Sequence, residues 1–245
     1  MIRLALLLAL FVALPAGAAG DAKGITGYLE TVDLGTDGSA GVTVTVTIAN
    51  WPADRIDFPL NFGKPENFSV TGDDGVKAAA AAARNGDVRV IRVQFEGKPP
   101  SETRLRINFT AREFFDWKKA RSPRGIYGLS YTFTNTATAN IGQYGLKVRL
   151  PEGYLMNGVT GSTPRMTGEE VQPPYDFAIE DKRTIVNLRA KSVGPGRTAA
   201  IAFGFVKEER NPLPFLAVGL LIAAAALWIK RDVLTRADYV RDVAA

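Results

Sequence analysis

The chain contains no histidine and no cysteine among its 245 residues. This composition excludes Ser-His-Asp and Cys-His catalysis, and it excludes zinc or copper sites built on imidazole or thiolate. Paired carboxylates could still hydrolyse glycosides without histidine. Adjacent acidic pairs occur at Asp73-Asp74, Glu169-Glu170 and Glu180-Asp181, but neighbouring residues on a strand point to opposite sides. The sequence therefore favours a non-catalytic protein with no cofactor and no metal, and a hydrolase built on distant carboxylates is the less favoured alternative.

The densest cluster of aromatic and basic side chains lies between residues 113 and 124. From Arg84 to Arg124 there are eleven Lys or Arg residues against five Asp or Glu residues. This pattern predicts an interaction surface for a protein partner, an acidic glycan or anionic lipid headgroups. The alternative, which is the commoner arrangement, is that the aromatic rings fill a core while the lysines are solvated. The candidate residues are Phe114, Phe115, Trp117, Lys118, Lys119, Arg121 and Arg124.

An uncharged apolar stretch at residues 212–229 predicts a transmembrane helix. Eighteen helical residues extend roughly 27 Å, close to a hydrocarbon core of about 30 Å. Trp228 would lie at the far interface, where Lys230 and Arg231 reach the headgroups. Gly219 and Ala223 have a small-x-x-x-small spacing that lets a second helix approach closely.

Residues 1–19 have the pattern of a secretory signal peptide, with Arg3, an apolar run from Leu4 to Leu14, and small residues at Ala18 and Ala19. An uncleaved N-terminal anchor is the alternative, for which this apolar run is short. The sequence thus predicts an exported body at residues 20–211, in a bacterial periplasm or at the cell exterior, and a cytoplasmic tail at residues 230–245. It predicts no nucleic-acid partner.

Apolar and polar residues alternate along the exported body, which predicts antiparallel β-sheets packed as a sandwich. Asn85-Gly86 predicts a tight hairpin turn, whereas the change of phase within Val88–Phe95 predicts a bulge or a strand covered on both faces. The segment 120–125 either separates two Ig-like sandwiches or forms a long loop in one larger sandwich. The clearest predicted inward-facing sets are Val42/Val44/Val46/Ile48, Leu105/Ile107/Phe109 and Tyr127/Leu129/Tyr131/Phe133.

The last predicted strand is joined to the membrane span by five residues, Lys207–Asn211. So short a connector holds the folded body close to the bilayer. Together with the small residues of the span, this layout predicts an accessory subunit that docks on a larger membrane assembly. The alternative is an extracytoplasmic module that binds a polysaccharide or another ligand through the region of residues 114–124.

Overall fold

The computed structural model describes residues 24–163, 174–208 and 218–228. The chain divides at Lys207 into a β body and a C-terminal unit. The predicted signal peptide, the tail, Lys230, Arg231 and the pair Glu169-Glu170 lie outside the described residues.

The described part of the β body is built almost entirely of strands, which confirms the all-β prediction. The strands are β1 (Gly24–Leu34), β2 (Ala40–Ala49), β3 (Arg55–Pro59), β4 (Lys64–Gly72), β5 (Ala78–Asn85), β6 (Val88–Phe95), β7 (Glu102–Arg112), β8 (Tyr127–Thr134), β9 (Ile141–Arg149), β10 (Tyr154–Thr163), β11 (Tyr175–Glu180), β12 (Arg183–Val193) and β13 (Thr198–Lys207).

Three sheets make up the body. A seven-stranded sheet has the order β11-β12-β9-β1-β2-β7-β4, and two three-stranded sheets have the orders β10-β13-β8 and β3-β6-β5. Strands from both sides of the segment 120–125 share the large sheet. Its central strand β1 pairs antiparallel with β2 and parallel with β9, so a long connection must carry the chain back before β9 can be added.

The two small sheets pack on one face of the large sheet, and apolar side chains fill the space between the layers. The ring of Tyr28 on β1 lies 6.2 Å from Phe58 on β3 and 5.3 Å from Phe133 on β8. Asn61 links the small sheets, because its side-chain oxygen accepts the Thr134 N–H at 3.2 Å at the edge of β8. The three predicted inward-facing sets point into this core, although Tyr127 is only half-buried.

The alanine run at residues 78–83 belongs to strand β5 and forms a hairpin with β6. Gly86 in the turn has a φ of 60°, which glycine adopts without steric cost. Strand β6 pairs with β3 and β5 without a register shift, and Val90 and Ile91 are both buried. The change of phase in this strand therefore reflects cover on both faces and not a bulge.

Residues 218–228 of the C-terminal unit form a helix, α1. Its large apolar side chains are exposed, including Leu220, Ile222 and Trp228. Gly219 and Ala223 lie one turn apart in α1, on the same side of the helix. Among the described residues, no helix has both the length and the apolar content needed to cross a bilayer.

Candidate functional site

The aromatic residues of the predicted surface close one end of the core. Phe115 is only 8% exposed, and its ring lies 4.8 Å from Trp117 and 5.6 Å from Phe205 on β13. Trp117 is half-buried and donates its indole N–H to the carbonyl of Gly35 at 3.3 Å. Phe114 is half-buried beside the core. Phe115 therefore belongs to the core and not to an exposed surface.

The basic residues of the same segment point into solvent. Lys118, Lys119, Arg121 and Arg124 are all exposed. Asp116 holds the turn, because its Oδ1 accepts the backbone N–H groups of Lys118 and Lys119 at 3.0 and 3.1 Å. The Lys119 N–H bond is the main reason why the pKa of Asp116 is lowered, and the ammonium of Lys119, 3.3 Å from its Oδ2, adds to this effect. Residues 116–124 thus carry one carboxylate and four exposed cations.

Residues 120–128 form a short hairpin that includes the first two residues of β8. The N–H of Gly128 donates to the carbonyl of Ala120 at 3.0 Å, and Arg121 forms a bridge with Tyr127. At the tip, the N–H of Gly125 donates to the carbonyl of Ser122 at 3.0 Å, which closes a four-residue turn. We call residues 118–126 the cationic hairpin.

Beside this hairpin lies the outward face of the sheet β10-β13-β8. Within these three described strands, Lys207 is the single charged residue. A groove of about 640 Å³ runs between the hairpin and this face. We call this face the small-residue face; its residues include Gly128, Ser130, Thr132, Ala200 and Ala202.

A glutamate that the sequence analysis did not identify lies in the middle of the core. Glu30 on β1 is fully buried, and its Oε2 accepts hydrogen bonds from the hydroxyl groups of Tyr131 and Tyr144, both at 2.8 Å. Its Oε1 has no hydrogen-bond partner among the described residues. Nearby, the hydroxyl of Tyr28 donates to the carbonyl of Pro59 at 3.0 Å.

Burial controls the protonation of this cluster. Burial raises the pKa of Glu30 to about 7, against the opposing effect of the hydrogen bonds from Tyr144 and Tyr131. The pKa values of Tyr131 and Tyr144 are raised well above the ordinary value, mainly by burial and next by the negative charge of Glu30. Both hydroxyl groups therefore remain hydrogen-bond donors. The sequence signal that could reveal Glu30 is its position in β1. It alternates with the inward-facing Tyr28 and Val32, at a position where an apolar residue is expected.

The two acidic pairs that lie in the described ranges, Asp73-Asp74 and Glu180-Asp181, stand in a turn or at the end of a strand. Asp73 lies in a short 3-10 turn, and Glu180 ends β11, where its carboxylate lies 2.9 Å from the ammonium of Lys147. Within the described ranges, no group of three or more acidic side chains is arranged so that it could hold a metal ion.

Comparison with known proteins gives no family. No family model matches the chain, and no curated protein matches it. Among solved structures, an M1 zinc metallopeptidase from Deinococcus radiodurans bound to a Tyr-Ser-Ala substrate is 12% identical over 74% of this chain and 42% of its own, with a TM-score of 0.43. Native leukotriene A4 hydrolase from Saccharomyces cerevisiae is 11% identical over 74% of this chain and 29% of its own, with a TM-score of 0.40. The chain thus spans less than half the length of these proteins, and likenesses of this size carry no functional argument.

Proposed function

We propose that this protein is a membrane-anchored accessory subunit without catalytic activity. In this proposal residues 1–19 direct export, residues 20–211 form the extracytoplasmic body, residues 212–229 cross the membrane, and residues 230–245 remain in the cytoplasm. The body docks on a larger membrane or envelope assembly through the small-residue face. That face is the observation that carries the proposal.

The chemistry of the face suits contact with a protein. Charged residues are depleted in the cores of protein interfaces, and the strands β8, β10 and β13 have a single charge, at their very end. By contrast, the outward positions of β7 include the exposed Arg104 and Arg106. Small side chains such as Gly128 and Ala202 leave a surface that a partner can approach closely, so the expected partner has an uncharged surface of its own.

The position of the last strand supports the anchor. Strand β13 ends at Lys207, and residue 212 begins the apolar stretch. The part of this stretch that is described is helical and has exposed apolar side chains. Gly219 and Ala223 give the same helix a side on which a helix of the partner can pack.

Purification in mild detergent tests the proposal, and a partner should be recovered in stoichiometric amount. The chain offers a matched pair of surface variants. Ser130→Arg with Thr132→Arg places two charges on the small-residue face, whereas Ser69→Arg with Thr71→Arg places them at exposed positions of β4. The first pair should lose the partner and the second should keep it. Recovery of the wild-type chain alone, or equal recovery of the partner by both variants, would contradict the proposal.

A second function is favoured by the groove. The volume of about 640 Å³ is within the range of ligand sites, and Arg124 contributes to its lining. An acidic polysaccharide could bind there, with its carboxylates on the guanidinium group. The test is retention of the full chain on an immobilised acidic polysaccharide. Under this second proposal Arg124→Gln weakens retention, whereas Arg104→Gln leaves it unchanged.

A further inference from the structure

We propose that the cationic hairpin rests on anionic lipid headgroups of the membrane in which the chain is anchored. This inference depends on the proposed membrane span. It adds a second attachment to the bilayer, which fixes the orientation of the β body.

The hairpin lies at the end of the body where the chain leaves it. Phe205 on β13 pairs with Tyr127, the residue that directly follows the hairpin. Two residues later, Lys207 pairs with Tyr154, and the ring of Tyr154 lies 5.0 Å from that of Trp117. Trp117 immediately precedes Lys118, so the first cation of the hairpin lies beside the exit of the chain.

The length of the connector places this end close to the bilayer. Four residues, 208–211, separate Lys207 from the apolar stretch, and a link of this length spans at most about 18 Å when fully extended. The polar region of each leaflet is roughly 5 to 7 Å deep. A body on so short a connector cannot move its exit end far from the headgroups.

The charge of the hairpin is complementary to such a surface. Its four cations, at residues 118, 119, 121 and 124, are exposed, and Asp116 is the one acidic residue in the same turn. Each basic side chain near an anionic surface contributes about a fivefold increase in association. The hairpin also combines a hydrogen-bonded turn at its tip with side chains that are long enough to reach phosphate groups. Because lipid is already within reach of this end, it is favoured over an acidic protein as the partner.

A labelling experiment tests this in the full chain, which has no cysteine of its own. Pro123→Cys puts a single thiol at the exposed tip of the hairpin, and Thr138→Cys puts one at the exposed turn between β8 and β9, at the opposite end. Each protein is placed in nanodiscs of phosphatidylcholine alone or with about one-third phosphatidylglycerol. The rate of reaction with a bulky uncharged maleimide is then measured.

The thiol at position 123 should react at least about tenfold more slowly in the anionic nanodiscs, since two engaged cations at about fivefold each already exceed this, and high salt should remove the difference. The thiol at position 138 should react at the same rate in both. Two sets of four glutamine substitutions are each combined with Pro123→Cys, and both sets remove four positive charges. Substitution of the four hairpin cations should abolish the slowing, whereas substitution of four exposed cations elsewhere should preserve it. The hairpin set is Lys118, Lys119, Arg121 and Arg124, and the matched set is Lys98, Arg104, Lys191 and Arg197.

Equal rates at position 123 in the two kinds of nanodisc would overturn the inference while leaving the anchor intact, provided that the chain stays in the nanodisc through a salt wash. A chain that does not enter nanodiscs would overturn the anchor, and the inference with it. If the same labelling is slowed in native membranes but not in the anionic nanodiscs, the hairpin contacts an acidic protein, and contact with lipid is refuted.

Discussion

Substitution of the buried glutamate, Glu30→Gln, should remove most of the pH dependence of stability near neutrality. The carboxyl of Glu30 has an ordinary pKa of 4.5 and a pKa of about 7 in the folded chain. The folded state therefore holds this proton more tightly than the unfolded state does. The resulting contribution to stability is fully present below pH 4.5, and it is lost as the pH rises through about 7.

The size of the effect follows from the difference in pKa, since each unit corresponds to about 1.4 kcal/mol. Between about pH 5 and pH 8, the free energy of unfolding of the wild type should fall by roughly 2.5 kcal/mol. Glutamine does not titrate. Its amide oxygen can accept from Tyr131 and Tyr144, and its NH₂ group replaces an oxygen that has no partner among the described residues. That unpaired donor costs about 1 to 3 kcal/mol at every pH.

The assay is urea unfolding of the full chain in detergent between about pH 5 and pH 8. The chain has no histidine, so no side chain with an ordinary pKa titrates in this range. The free energy of unfolding of the wild type, relative to that of Glu30→Gln, should decline by about 2.5 kcal/mol from the acidic to the alkaline limit. Glu102→Gln, at an exposed carboxylate, is the control and should follow the wild type. Parallel curves for the wild type and Glu30→Gln would show that burial does not retain a proton on this group.

Three further substitutions test the packing of the β body through urea unfolding. Gly38→Ala should destabilise it by about 2 kcal/mol or more, because φ is +85° and a Cβ atom would collide with the carbonyl oxygen of Phe115. Gly75→Ala is the control: φ is +74° there, but no atom lies near the new Cβ, so the substitution should cost only about 1 kcal/mol. Phe133→Ala should cost about 3 to 5 kcal/mol, since this fully buried ring stacks in the core, and a loss below about 1 kcal/mol would contradict its place there. Asn61→Ala should cost about 1 to 2 kcal/mol, because the backbone edge of β8 loses its amide partner; an unchanged midpoint would show that water replaces the amide.

The parts of the fold that could be predicted from the sequence are those decided by neighbouring residues. The alternation at Val42–Ile48 predicts a one-sided strand, since burial on one face selects every second residue, and β2 has this pattern of exposure. Asn85-Gly86 predicts a hairpin because the turn itself requires a positive φ. Both features need only a few consecutive residues.

The hydrogen-bond partners of the buried glutamate could not be found in this way. Its partners Tyr131 and Tyr144 lie more than a hundred residues further along the chain, and they reach it only through the register of two distant strands. The parallel pairing of β1 with β9 is equally invisible in local patterns. Distant contacts also explain why the predicted surface residues differ in burial. Phe115 is buried because it packs against Phe205 on the distant strand β13, whereas the cations are exposed because they are charged.

The central pairing of the large sheet has a consequence for the order of folding. Ile25 on β1 is matched with Ile141 on β9, so one side of the middle strand remains open until most of the polypeptide has been synthesised. Contacts between such distant segments slow folding, and unpaired strand edges promote aggregation in the meantime. A nascent chain that ends before residue 141 would expose the edge of β1, and a holding chaperone is expected to bind there until synthesis has passed β9.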